Sequence, residues 1–415
     1  MRNSLRVFTN RRYSIWVSAE FVASIAGWIF FTVQLWLIMT ALDIPLNETA
    51  GLAGTLLVFQ FLPQAFFSPL AGWLGDRMQR RTILVCSQIG LAAVAFVGGS
   101  LFLAGAGSVG LLYALAFGSG TLSAFDSTIK QAAAADYVDP ADRREAVVGL
   151  SIVGNVSRLV GPALAGFLIV AISAPMALIV CGSLFIIAGA VIFCLPGITP
   201  VGASTTQRRG DTFRILRARP AVIVAIVVGF FIGALACHTS LMMTSMVLER
   251  GLNADSFSVI SFALACGTLL GATMCLRLPL TLRWLLIASL GVGLAMMVVS
   301  RMEVFTLITG GFFVFGILLG SANTLTTTFV QISSPPESMG RVLGFYFMIF
   351  MGISPLSAPL LGMVIDRYGV ATLLLGSGSV ILLAMVSLLF VEWRLRVKGT
   401  LGAARESLAP AVSGP

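Results

Sequence analysis

The sequence predicts an all-α polytopic membrane protein, with twelve transmembrane helices arranged as two six-helix pseudo-repeat bundles. Three observations predict it: an apolar composition, a one-sided distribution of Lys and Arg, and a weak internal repeat. Of the 415 residues, 58% are hydrophobic and 10% are charged, against about 25% charged in a soluble domain. The mean hydropathy is +0.99. A spanning helix needs roughly 20 mostly apolar residues, so twelve spans with short loops use most of the chain. Long apolar runs such as 221–235 and 287–299 do not alternate, which excludes a membrane β-barrel. The 43 glycines suit a bundle whose helices approach closely.

Four arginines (Arg2, Arg6, Arg11, Arg12) precede the first span, 14–42, whose apolar run continues past the length of a signal-peptide core and is expected to be retained. Spans 2 and 3, at 48–74 and 82–104, are separated by Arg77, Arg80 and Arg81. Spans 4 and 5, at 108–134 and 145–172, are separated by Arg143 and Arg144; span 6 follows at 175–195. The second set runs at 220–248, 255–276, 284–300, 303–331, 341–365 and 370–392. With the N-terminus cytoplasmic, 21 of the 26 Lys and Arg residues lie inside and three (Arg250, Arg301, Arg367) outside. The remaining two, Lys130 and Arg158, fall within spans. Basic residues mark cytoplasmic loops, so both termini are expected inside, in a cell membrane of the bacterial inner-membrane kind.

The longest connection, near 196–219, carries Pro196, Gly197, Pro200, Gly202, Gly210 and five arginines. It reads as a cytoplasmic linker between bundles at 1–195 and 220–393, with a tail at 394–415. Gly120 and Gln131 match Gly320 and Gln331 at an offset of 200, and Pro140 and Gly149 match Pro335 and Gly344 at 195. Matches in this order indicate parallel repeats. Asp126 and Lys130 fall opposite Thr326 and Val330, so ionisable chemistry concentrates in the first half.

The net charge of +9 is spread over short loops and gives no aromatic-interleaved basic patch, so nucleic acid is not an expected partner. The six cysteines lie in apolar stretches without CxxC spacing and read as small buried hydrophobes. No cofactor or metal is expected. One histidine and no HExxH pattern leave a membrane-embedded enzyme without a catalytic set, and no loop is long enough for a sensor domain.

The loop after span 2 reads Gly72-Trp-Leu-Gly-Asp76-Arg77-Met-Gln-Arg80-Arg81. It resembles the major facilitator signature Gly-x-x-x-Asp-Arg-x-Gly-Arg-Arg/Lys, with Gln79 where that signature has Gly. Read physically, Gly72 permits close helix contact and Asp76 sits near a helix N-terminus of the other half. Ser123 to Gln131, Asn155 to Gly166, and Pro335 to Val342 resemble the drug and siderophore exporter branch, which includes macrolide-efflux and enterobactin-exporter proteins. Gly154, Gly161, Pro162 and Gly166 resemble the antiporter signature of span 5. The resemblance implies proton-driven export, with these residues and the Gly72–Arg81 loop as a conformational gate.

For the substrate and proton pathway, span 1 offers a polar stripe of Glu20, Ser24, Gly27, Phe31 and Gln34, within one arc at 100° per residue. Intramembrane acids are costly and are functional candidates; Glu20 is either a protonation site or a static interfacial group. Asp126 and Lys130, at i, i+4, form either a structural pair or part of the pathway. Arg158, well inside span 5, attracts an anionic substrate or clamps two helices. Asn323 and Thr327, with Gly316 and Gly320, give span 10 a small-polar face suited to a cavity wall. His238 reads as a hydrogen-bonded packing residue. Expected partners are a small-molecule substrate, protons and the bilayer, and the chain is expected to be monomeric. Uptake, or movement of a lysolipid by the same fold, is the alternative to export.

Overall fold

The computed structural model describes residues 6–42, 44–75, 77–134, 136–139, 142–195, 219–275, 279–334 and 339–397. Most of the expected linker, the end of the tail, and Pro140 and Pro335 of the repeat lie outside these residues. Spans 1 to 6 are the helices Arg11–Thr40, Leu46–Gly75, Arg80–Leu103, Val109–Ala134, Arg143–Ile172 and Ala174–Cys194. Span 7 is broken into Pro220–Phe231, a π-helical turn Ile232–Ala236, and Thr239–Glu249. Spans 8 to 10 are Ala254–Met274, Leu282–Val299 and Phe305–Ser333.

The last helical stretch settles the count. Ser354–Val397 has 44 residues with non-helical backbone at Gly369. Unbroken, it would run about 66 Å, twice the ~30 Å of a hydrocarbon core. Gly369 (φ 81°, ψ 161°) therefore divides it. Span 11 is Met339–Gly352 continued over 354–368, and span 12 is 370–397. Eleven helices are long and apolar enough to cross a membrane, one of them running through Gly369, which gives twelve crossings among the described residues.

Side-chain caps start several helices as their sequences allow. Asn10 accepts from the backbone of Arg12 (3.1 Å) and Tyr13 (3.4 Å) at the head of span 1. Asn253 accepts from Ser256 N (3.2 Å) at span 8, and Thr281 from Trp284 N (3.4 Å) at span 9. These satisfy backbone donors that the first helical turn leaves open. At span 12 the cap comes from another helix, where Glu249 Oε1 accepts from Val370 N (2.8 Å).

The sequence repeat has a structural counterpart. Gly120 of span 4 rests directly on the Gln60 carbonyl of span 2, where a Cβ would collide. Its partner in the repeat, Gly320 of span 10, rests likewise on the Thr268 carbonyl of span 8. Spans 5 and 6 are joined through the single residue Ser173 (φ 101°, ψ 156°), and spans 11 and 12 through Gly369 at nearly the same φ and ψ. A left-handed φ is easy for glycine and strained for serine; the connection is a single residue in both places.

Spans 3 and 4 pack on each other, as do spans 9 and 10; span 6 packs on span 3 as span 12 packs on span 9. Between the halves, span 2 meets the second part of span 11 and span 5 meets span 8. Spans 1 and 2 also touch Thr239–Glu249. The Met339–Gly352 and Pro220–Phe231 segments, which lie toward the arginine-rich end, pack on other helices of spans 7 to 12. Among the described residues, the halves are thus joined chiefly at the end away from the arginines.

Candidate functional site

A cavity of about 310 Å³ lies between the halves. Trp28 and Phe31 of span 1, Phe61 and Gln64 of span 2, and Arg158 and Pro162 of span 5 form one wall. Cys237, His238 and Thr239 of span 7, Ser261 and Thr268 of span 8, Asn323 of span 10, and Phe350 and Ser354 of span 11 form the other. Phe31 contacts Trp28 edge-on (centroids 5.9 Å) and Phe61 (5.6 Å), making one side of the cavity an aromatic bed.

The opposite wall is built where two helices break. The π turn of span 7 ends at Cys237, and His238 starts the next helix; span 11 is interrupted between Gly352 and Ser354. His238 Nε2 and Ser357 Oγ are 2.9 Å apart and tie the two breaks together. Gly233 lets the π turn sit against the Phe350 carbonyl, with no room for a Cβ. Interrupted helices at mid-membrane depth are tolerated where they line a cavity, and π turns are frequent at functional sites. The break is not announced by proline: Gly233 lies inside the turn and Pro220 at the helix start, so the sequence reads as one continuous span over 220–248. His238 does make the expected hydrogen bond, and it also lines the cavity.

Arg158 is the one charged side chain among the described lining residues. No described carboxylate lies within 4 Å of its guanidinium. Ser261 is buried, and its Oγ has no hydrogen-bond partner among the described residues.

A second polar group lies apart from the cavity, between spans 1, 3 and 4. Lys130 Nζ donates to Asp126 Oδ2 (2.9 Å) and stands 4.0 Å from Glu20 Oε2. Gln88 Nε2 donates to Asp126 Oδ1 (2.8 Å). Glu20 has no exposed surface, and neither of its carboxylate oxygens has a hydrogen-bond partner among the described residues. Contrary to expectation, the polar stripe of span 1 does not face the cavity along its whole length. Phe31 lines the cavity, whereas Glu20 and Gln34 are fully buried outside its lining, and Ser24 is half-buried, also outside it. The reason is that one helical face meets different neighbours along its length. At the depth of Tyr13 to Glu20 span 1 is enclosed by Ile83, Leu84, Ile129 and Tyr137 of its own half. At Trp28 and Phe31 it borders the gap between halves. The ionic neighbour of Glu20 is Lys130 of span 4. Asn323 lines the cavity, while Thr327 is half-buried and donates to the Asn323 carbonyl (2.8 Å).

In the loop after span 2, Asp76 lies outside the described residues. Gly72 is not the tight contact: a Cβ there would stand 4.0 Å from Thr128, whereas one on Gly75 would collide with Ile129. Arg77 stacks on Trp73 at 4.1 Å. Arg80 pairs with Asp136 (2.5 Å) and Arg81 donates to the Leu195 carbonyl (2.6 Å). The two arginines clamp the exits of spans 4 and 6, within one half.

At the arginine-poor end the halves meet backbone to backbone. A Cβ on Gly54 would collide with the Ala358 carbonyl and stand 2.7 Å from Pro359 Cα; one on Gly362 would collide with the Ala50 carbonyl. Asp366 accepts from Ala50 N (2.9 Å) and Gly51 N (2.6 Å). Gly161 seats Trp28, and Gly166 seats Ser258 of the other half, while Gly154 has open space around it. Pro162 lines the cavity. Asp366 and Ser261 were not singled out by the sequence. Asp366 stood next to Arg367 at a span end, and Ser261 was one of several Ser and Thr residues of span 8, so neither stood out from its neighbours.

The profile of the Major Facilitator Superfamily matches residues 17–359. The chain is 26% identical over 359 residues to the uncharacterized MFS-type transporter YfiS of Bacillus subtilis (strain 168), covering 79% of this chain and 80% of that protein. Among solved structures it is similar to an inward-facing, occupied bacterial homologue of the human lysosomal transporter Spinster. The TM-score is 0.72 at 14% identity, over 91% of this chain and 96% of the other. It is also similar to the nucleoside transporter NupG, with TM-score 0.69 at 14% identity, over 91% of this chain and 98% of the other. With the profile spanning most of the chain and the twelve-span fold in place, the protein belongs to the major facilitator superfamily of membrane transporters.

Proposed function

We propose that the protein exports small amphipathic organic molecules, such as macrolide-like drugs or siderophores, by proton antiport through alternating access. The observation that carries this reading is the separation of two sites within one membrane-spanning body. An aromatic cavity with a few polar groups lies between the halves, and a buried ionisable cluster of Glu20, Lys130 and Asp126 lies apart from it, between spans 1, 3 and 4. Cargo and proton then occupy different places and communicate through span 1, which supplies both Glu20 and Phe31. The glycines that resemble an antiporter signature support it, since Gly161 and Gly166 seat Trp28 and Ser258 at the cavity and at the junction. Asp76, Arg77, Arg80 and Arg81 would act as the gate at the other end. At about 310 Å³ the cavity is at the low end of the ~300–1,000 Å³ that drug-sized ligands occupy. In this conformation it holds a small cargo whole or one part of a larger one.

Reconstitution tests the direction and the coupling together. In proteoliposomes carrying a luminal pH dye, a catecholate siderophore is expected to be driven by an imposed pH gradient and to dissipate it. Transport that ignores the gradient, or proton and cargo moving the same way, would replace antiport with uniport or symport.

The same proposal puts both termini in the cytoplasm, on the 21-to-3 division of basic residues. A C-terminal alkaline phosphatase fusion, active only outside the cytoplasm, is expected to be silent while a fluorescent-protein fusion is bright. The reverse pattern would invert the topology.

A further inference from the structure

We propose that the cavity recognises an aromatic organic anion, its carboxylate held by Arg158 and its ring by Trp28, Phe31 and Phe61. This rests on reading the cavity as the cargo site. Three independent observations carry it.

The first is charge. Arg158 brings a permanent positive charge to mid-membrane depth, where an ion without a partner is costly, and no described carboxylate lies within 4 Å of it. The acids that could have neutralised it, Glu20 and Asp126, are committed to Lys130. The described lining contains no Asp or Glu, so a cation entering the cavity meets like charge and finds nothing opposite. A planar guanidinium fork matches a carboxylate in geometry as well as charge.

The second is the orphan hydroxyl of Ser261. It is buried, unpartnered among the described residues and part of the cavity wall. Buried polar atoms left without a partner are costly, and a carboxylate can accept from a serine hydroxyl while it accepts from an arginine. Arg158 belongs to span 5 and Ser261 to span 8, one of the pairs of spans packed across the two halves. One anion bound to both therefore bridges the halves, and its presence favours the state in which they approach.

The third is the apolar end. Trp28, Phe31 and Phe61 form contiguous edge and tilted contacts and line the same cavity as Arg158, so aromatic faces and edges are offered to a ring in the cavity that holds the charge. The ligand class that satisfies all three is a compact ring system with one carboxylate.

The test is a head-group series on one ring, with the full-length protein in nanodiscs and empty nanodiscs subtracted. Isothermal titration would compare 2-naphthylacetate, 2-(2-naphthyl)ethanol and 2-(2-naphthyl)ethylamine. The acid is expected to bind on the order of tenfold or more tighter than the alcohol, and the amine weaker than both. Arg158→Gln should erase the preference for the acid, Arg158→Lys should retain part of it, and Ser261→Ala should weaken the acid a few-fold while leaving the alcohol unchanged. Should Arg158→Gln fail to fold, the wild-type series and Arg158→Lys still decide. Equal binding of acid and alcohol, absence of acid binding, or a preference that survives Arg158→Gln overturns the proposal. Those outcomes leave proton-coupled export standing, because that reading is judged by the pH gradient and not by head-group charge.

Discussion

A valine at position 54 is expected to hold the protein open at its arginine-poor end and to stop transport. Gly54 touches the backbone of Ala358 and Pro359 so closely that even one added carbon collides. Backbone atoms in two packed helices cannot turn aside as a flexible side chain can. Overpacking a fitted contact costs about 1–3 kcal/mol, and here the cost falls only on the conformation in which spans 2 and 11 touch. Since each 1.4 kcal/mol is tenfold, the closed state is disfavoured by roughly five- to more than a hundredfold. The protein carries its own reporter, because Cys237 lines the cavity. With the other five cysteines replaced, labelling of Cys237 by an impermeant maleimide is measured from each side of oriented vesicles. Access from the arginine-poor side is expected to rise in Gly54→Val, and transport to be lost. Asp76→Asn, at the other end, should shift access toward the arginine-rich side and also slow transport at equal membrane abundance. Gly376→Val serves as the control, since Gly376 has open space around it. Unchanged labelling with full activity in Gly54→Val would remove this junction from the transport cycle.

How much of this was legible before the structure depends on which forces decide each feature. Span positions follow from apolar length, and every expected span has its helix within a few residues. The repeat was legible at Gly120 and Gly320 because close backbone approach admits no other residue, and both do rest on a neighbouring carbonyl. The break in span 7 was not legible. It depends on Gly233 seating against Phe350, a contact between residues more than a hundred positions apart. For the same reason Glu20 was misplaced: helical periodicity gives the face of a side chain but not what lies against that face. The i, i+4 spacing already set Asp126 beside Lys130, whereas the sequence offered Arg158 no such neighbour. Only the packing shows that Lys130 has two acids beside it and Arg158 has none within 4 Å among the described residues.

Glu20→Gln is expected to disconnect transport from the proton gradient while leaving the protein able to bind and exchange cargo. With Glu20 and Asp126 ionised and Lys130 protonated, the cluster carries one net negative charge. A proton on Glu20 makes it neutral. Burying net charge costs several kcal/mol more than burying a neutral group, and Glu20 has no exposed surface and no hydrogen-bond donor to its carboxylate among the described residues. The neutral cluster is therefore tolerated in this packed arrangement, and the charged one favours an arrangement that admits water. Span 1 carries both Glu20 and the cavity residues Trp28 and Phe31, so a shift that relieves the charge reaches the cargo site along one rigid helix. Glutamine keeps the size and the neutral form permanently. Gradient-driven accumulation in proteoliposomes should fall on the order of tenfold or more, whereas counterflow exchange, which needs no proton, should stay near wild type. Asp126→Asn tests the neighbouring acid under the same conditions. Its carboxylate is held by Lys130 and Gln88, so its loss should weaken folding and exchange together and not separate them. Gradient-driven transport at wild-type rates in Glu20→Gln would move the coupling proton away from span 1 and leave Asp126 as the acid to examine.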